Sequence, residues 1–147
     1  GIMPVLNWFV SWTGRDSESV TVAQRTVALN PLDSPPYWNL GIALAYAHEY
    51  DSAADALRHA IEIAAASPLY HSWLAFAEIG RGNSAEAARE LELTEGLLGD
   101  NRAIIYLLDM LYSYSRIGRS ADVERLVAEI QAIAATQDIG AGGWAMA

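Results

Sequence analysis

The sequence predicts an all-α fold of stacked antiparallel helix pairs, and three observations carry that prediction. First, three stretches align on one another at a period of about 34 to 36 residues. Tyr37, Leu40, Gly41 and Leu44 are followed by Ala53, Leu57 and Ala60. His71, Leu74, Ala75 and Glu78 are followed by Ala87, Leu91 and Thr94. Leu107, Met110, Leu111 and Tyr114 are followed by Val123, Val127 and Ile130. A fixed period of this length means copies of one small unit, each covering its neighbour's apolar face. Second, apolar residues recur at helical spacing inside each copy. Third, proline and glycine clusters punctuate the runs.

The elements follow in order. Met3, Leu6 and Val10 hold helical spacing over 3–12, with Gly14 at the turn. A second helix is expected over 17–29; Val20 to Val22 is β-branched but lies inside a helical frame. Asn30-Pro31 ends it. Pro35 and Pro36 suit the first turn of a helix over 35–47, where a missing amide hydrogen costs nothing. Asp51 is placed to cap a helix over 51–65, which carries Leu57, Ile61 and Ala64. Ser67-Pro68 opens 68–80, and Gly80-Arg81-Gly82-Asn83 closes it. Ser84 caps 84–97; Gly99-Asp100-Asn101 follows, with a two-residue insertion near Gly96 to Asn101. Leu107, Met110 and Tyr114 mark 102–116. Ser120 caps 120–135 after the turn at Ile117-Gly118-Arg119. The repeats are thus 3–33, 34–67, 68–101 and 102–135, in one domain spanning 1–147. The stretch 136–147, closing on Gly143-Trp144-Ala145-Met146-Ala147, reads as the start of a further, truncated unit.

Composition narrows the function classes. The chain has 147 residues and is 52% hydrophobic, enough for a substantial core. Its net charge of −9 disfavours nucleic acid and anionic membranes, which need a basic surface. All nine basic residues are Arg. With no cysteine, disulfides and thiolate chemistry are excluded. Pro4 to Trp12 is apolar but lacks the flanks of a signal peptide, and it is far shorter than the roughly 20 residues that span a bilayer. A cytoplasmic location is expected.

The run PPYWNLGIALAYAHEYDSAADALRHAIEIAAASP carries an aromatic, then Leu-Gly, a turn closing on Tyr-Asp, an Ala, and a helix ending before a Pro. It resembles the tetratricopeptide repeat. The resemblance covers roughly residues 3–135 and implies about four hairpins in a right-handed superhelix. Gly41 and Ala75, facing Ala53 and Ala87, are small where paired helices cross closely. Leu111 and Val123 replace small residues, so the last hairpin is expected to splay. Asn-Pro-Leu-Asp-Ser-Pro-Pro-Tyr and the closing Gly-Gly-Trp-Ala-Met-Ala also resemble repeat segments at the C-terminal end of bacterial signalling proteins, which implies a regulatory array.

The repeat frame places Trp8, Trp12, Trp38, Asn39, Ile42, Tyr46, Trp73, Phe76, Asp109, Tyr112 and Arg116 on the concave face. Such an aromatic groove suits a partner segment, because rings bury large area at low rotamer entropy. The lysines of a carboxylate clamp are absent, so a chaperone tail is not expected; an apolar, aromatic-rich or basic protein segment is. Arg116 with Asp109 would orient it. Alternatives are self-assembly into a homo-oligomer and sensing of a small apolar ligand. His59 and His71 are placed to face each other near Asp55 and Glu62, but the spacing matches no metal motif, and no metal or cofactor is expected. His48 falls in a turn without an evident partner. Glu86, Glu90, Glu92, Glu95 and Asp100 read as a solvated acidic face. No nucleophile elbow, phosphate loop or Ser-His-acid order is present, so the chain is not expected to be an enzyme.

Overall fold

The computed structural model describes residues 16–142, with side chains over 17–136. The helix expected over 3–12, and with it Trp8 and Trp12, lies outside the described residues. Seven helices follow one another: α1 (Asp16–Leu29), α2 (Ser34–Tyr46), α3 (Tyr50–Ile63), α4 (Pro68–Gly80), α5 (Ser84–Leu98), α6 (Ile104–Arg116) and α7 (Ser120–Gly142). Among the described residues there is no strand. The expected boundaries hold to within a few residues except at the end, where α7 runs on to Gly142 past the expected stop near 135. The helices fall into two compact units, Gly1–Leu98 and Gly99–Ala147.

The period is written into the backbone as well as the side chains. Each hairpin turns through one residue with positive φ: His48 at 61°, Gly82 at 77° and Gly118 at 74°. Just after it, an amide donates back to the carbonyl five residues earlier: Glu49 to Leu44 at 2.9 Å, Asn83 to Glu78 at 2.9 Å, and Arg119 to Tyr114 at 3.0 Å. This left-handed stop satisfies helix-end carbonyls and reverses the chain within three residues. Two of the three positions use glycine, the residue that enters this region without a Cβ penalty. Asp51 does not cap α3: the residue before the helix is Glu49, with no side-chain cap, and Asp51 sits inside the first turn. Its carboxylate accepts from Arg81 instead.

In the first unit, α2 pairs with α3 and α4 with α5, while α1 packs on α2, α3 on α4, and α2 on α4. Small residues allow this. Ala53, Ala75 and Ala87 have no exposed surface, and a Cβ on Gly41 would stand 2.5 Å from Leu57 Cγ across the first hairpin. Gly80 likewise has no room for a Cβ against the Tyr50 ring. The core there runs through Val20, Ala23, Ala43, Leu44, Ala53, Leu57, Leu74 and Ala77. In the second unit α6 pairs with α7, and Leu107, Met110, Tyr114 and Leu126 are buried. Leu111 and Val123 are only half-buried, unlike the small residues at those places in the other hairpins.

Candidate functional site

Two first helices, α2 and α4, carry the aromatic positions of the first unit. Trp38, Ile42 and Tyr46 recur every four residues along α2, so they form one stripe; Trp73 and Phe76 share a face of α4. The rings meet across the two helices. Tyr46 lies edge-on to Trp73 with centroids 6.0 Å apart, and Trp73 edge-on to Phe76 at 5.6 Å. Edge-to-face pairs at this separation satisfy the ring quadrupoles. Trp38 pairs with Tyr70 at 6.1 Å. Trp38, Trp73 and Phe76 are half-buried against the core, whereas Tyr46 is 39% exposed. Ile42 is buried, at 7% exposure, and adds little contact surface. Asn39 is half-buried. The Trp38 indole nitrogen is buried without a hydrogen-bond partner.

Asp109, Tyr112 and Arg116 belong to the second unit and are all exposed. Arg116 does not pair with Asp109; its guanidinium carbon lies 6.0 Å over the Tyr112 ring, in cation–π range. Desolvation by neighbouring residues raises the Asp109 carboxyl above the usual aspartate range.

Several polar groups were not placed by sequence reasoning. His71 and His59 do not face each other. His71 is buried and its Nδ1 lies 2.6 Å from Glu90 Oε2, while its Nε2 donates to the Ala65 carbonyl at 2.9 Å. Glu90 is therefore no part of a solvated acidic face. His59 packs at a tilt against the Tyr37 ring, centroids 4.1 Å apart, and its Nδ1 lies 3.4 Å from Glu62. His48 does have a partner, the Tyr50 hydroxyl at 2.7 Å. Glu78 has no exposed surface and accepts from Arg58 at 2.5 Å and Arg81 at 2.9 Å. Arg81 also donates to Asp51 at 2.7 Å. Those hydrogen bonds, to Asp51 first and then Glu78, raise the Arg81 guanidinium above its ordinary value and keep it protonated. The network ties α3 to α4. Its signal was available: His71 and Glu78 stand in columns that are otherwise apolar or aromatic, and a buried charge needs a partner.

Among the described residues, no group of three acidic or histidine side chains is arranged to hold a metal ion, and no helix is long and apolar enough to cross a membrane. A recess of about 400 Å³ opens among the turn residues His48, Tyr50, Asp51, Gly80, Arg81 and Asn83, none of them in the ring row.

This is a helical-repeat protein, and in its first unit the rings of α2 and α4 meet in one aromatic patch. Comparison with solved structures specifies which repeat. The TPR-like repeats of a kinesin light chain from Podosopora anserina superpose with a TM-score of 0.75 at 17% identity, over 91% of this chain and 74% of that one. The second TPR domain of human RPAP3, in complex with the HSP70 peptide SGPTIEEVD, gives 0.66 at 16% identity, over 79% and 92%. The Yersinia enterocolitica type III secretion chaperone SycD, in complex with a peptide of the translocator YopD, gives 0.64 at 19% identity, over 86% and 91%. No known family profile matches the chain, and no curated protein does. The fold is that of the tetratricopeptide repeat.

Proposed function

We propose that the chain is a non-enzymatic interaction module that binds a segment of a partner protein along the aromatic face of its first helices. The observation that carries this reading is the row of Tyr46, Trp73 and Phe76, which crosses from α2 to α4 with its rings only partly covered. Aromatic side chains held rigid by packing, yet still accessible, are the usual anchors of protein interfaces. The peptide-bound neighbours support a peptide as the occupant. In the second unit, taken by itself, Asp109, Tyr112 and Arg116 are proposed as a separate contact surface for a protein segment. The resemblance to repeat segments of bacterial signalling proteins supports a role as the regulatory arm of such a protein, in the cytoplasm.

The test is affinity capture from a lysate of the source organism with the wild-type chain and with a Tyr46→Ala, Trp73→Leu double variant. Leucine keeps apolar packing beneath the face, so far-UV circular dichroism should match wild type. Loss of two aromatic anchors is expected to weaken a specific partner by roughly 30-fold or more. Equal capture by both proteins would remove the face from consideration.

A second reading, self-association, is favoured by α6. Ile105, Leu108 and Tyr112 recur at helical spacing and are 61%, 47% and 49% exposed. Exposed apolar stripes of this kind favour pairing. Sedimentation of a Leu108→Glu variant alongside wild type distinguishes the two: a wild-type dimer that dissociates in the variant supports self-association.

A further inference from the structure

We infer that the aromatic face of α2 and α4 selects an uncharged, apolar peptide segment in extended conformation, and rejects both acidic tails and basic segments. The inference rests on the interaction reading above and narrows its occupant. The chain contains nine arginines and eighteen acidic residues, yet α2 (SPPYWNLGIALAY) has no charged residue. Helix α4 (PLYHSWLAFAEIG) has only His71 and Glu78 as ionisable groups within it apart from Tyr70, and all three are buried. Glu78 is turned to Arg58 and Arg81, and His71 to Glu90 and the Ala65 carbonyl. Most other charges of this unit stand on the second helices: Asp51, Asp55, Arg58 and Glu62 on α3, and Glu86, Arg89, Glu90, Glu92 and Glu95 on α5; Asp16, Glu18 and Arg25 lie on α1, and Asp33, Glu49 and Arg81 in the turns.

A carboxylate guest needs a basic donor at the point where it loses water. Neither α2 nor α4 supplies one, and Arg58 and Arg81 are already held by acidic groups of this chain. The net charge of −9 adds long-range repulsion. A lysine or arginine guest fares no better, because no exposed carboxylate stands on either helix to replace its hydration. Uncharged apolar side chains have the opposite balance: they gain burial against half-covered rings and lose nothing polar. The geometry favours a peptide over a compact ligand. The three rings form one contiguous patch across two helices, with centroids 6.0 and 5.6 Å apart, over which a short extended segment can lay more than one side chain. In the RPAP3 complex the peptide is SGPTIEEVD, a sequence rich in acidic residues; the charge-free face found here separates this chain from that specificity.

The experiment selects a displayed library of random 12-residue peptides on the whole immobilised chain, using wild type, Tyr46→Ala and Tyr46→Lys. Tyr46 is 39% exposed, and circular dichroism confirms that each variant keeps its helices. Wild type is expected to enrich sequences with alternating Leu, Ile, Phe or Trp and to deplete Asp, Glu, Lys and Arg. A selected peptide should bind about 10-fold more weakly to Tyr46→Ala. Its affinity for wild type should change less than about twofold between 50 and 500 mM NaCl, since no ion pair is there to be screened. Tyr46→Lys should shift selection toward acidic peptides. Enrichment of acidic or basic sequences that depend on Tyr46 would overturn the chemistry inferred here and leave the interaction face standing. Failure to select any peptide that depends on Tyr46 would overturn both.

Discussion

Replacing Gly41 with Ala tests the packing that holds the first hairpin together. A Cβ at that position would lie 2.5 Å from Leu57 Cγ, 2.9 Å from Cδ2 and 3.2 Å from Cδ1. Ordinary contact begins near 3.5 Å, so the leucine must retreat by roughly 1 Å at its branch point. Leu57 has no exposed surface and is enclosed by Ala43, Ala53 and the rest of the cluster, which leaves the hairpin to open instead. Inserting a methyl into a filled core costs about 1–3 kcal/mol. Exchanging glycine for alanine inside a helix returns about 1 kcal/mol. The net expectation is a loss of about 1 kcal/mol, or a fall in Tm of about 2–5 °C for a chain of this size. Urea and thermal unfolding followed by circular dichroism measure it. The double variant with Leu57→Ala supplies the control. Leu57→Ala alone should cost about 2–5 kcal/mol by leaving a cavity, and the new methyl at 41 should fill part of that space. The pair should therefore be less damaging than the sum of the singles by about 1 kcal/mol. A stabilised Gly41→Ala protein, or strict additivity in the pair, would refute the close approach.

Three further expectations use the same unfolding assay. Glu90→Ala leaves the buried His71 without its carboxylate and should cost about 3 kcal/mol, while Glu90→Gln, which keeps an acceptor, should cost about 1; equal effects would deny the pairing. Gly82→Ala forces a Cβ into a φ of 77° with open space around it, so it should lose about 1–2 kcal/mol from backbone strain alone, and a neutral result would mean the turn readily changes shape. For Asp122, burial pushes the carboxyl up, but hydrogen bonds from Arg125 and Arg119 outweigh it and lower the value below that of an ordinary aspartate. A lowered carboxylate contributes stability that is present above its unfolded value and lost as pH falls through its folded one. Wild type should thus exceed Asp122→Asn by a few tenths of a kcal/mol at neutral pH, with the gap closing below about pH 4; a gap that grows in acid would contradict the sign.

The repeat frame was legible because it depends on two things a sequence prints directly, spacing and size. Gly41, Ala53, Ala75 and Ala87 are small at a fixed interval, and the structure puts Gly41 against Leu57 across its hairpin and buries the three alanines completely. What spacing does not print is which residue of a neighbouring hairpin fills a given gap. Glu78 and His71 sit in columns that are otherwise apolar or aromatic, a signal of burial that the sequence reading did not use; that Arg58 reaches one and Glu90 the other depends on long side chains crossing between helices. The turn at His48 is legible, but neither its left-handed backbone nor its Tyr50 partner is, since a left-handed turn is read from glycine and here a histidine occupies it. Along the aromatic stripe, periodicity placed Trp38, Ile42 and Tyr46 on one side of α2, but their exposure varies, and only the packing makes Ile42 core and Tyr46 surface.

These two kinds of residue are connected. Because α2 carries no charge, and the ionisable groups of α4 are all turned inward, some of them to tie one helix to the next, α2 and α4 present rings with no exposed charge on either helix. The bonds that join α3 to α4 through Glu78 thus withhold from the outer face the very carboxylate and guanidinium groups that would recognise a charged guest. Stability between hairpins and the proposed preference for an uncharged partner are consequences of one placement of polar residues.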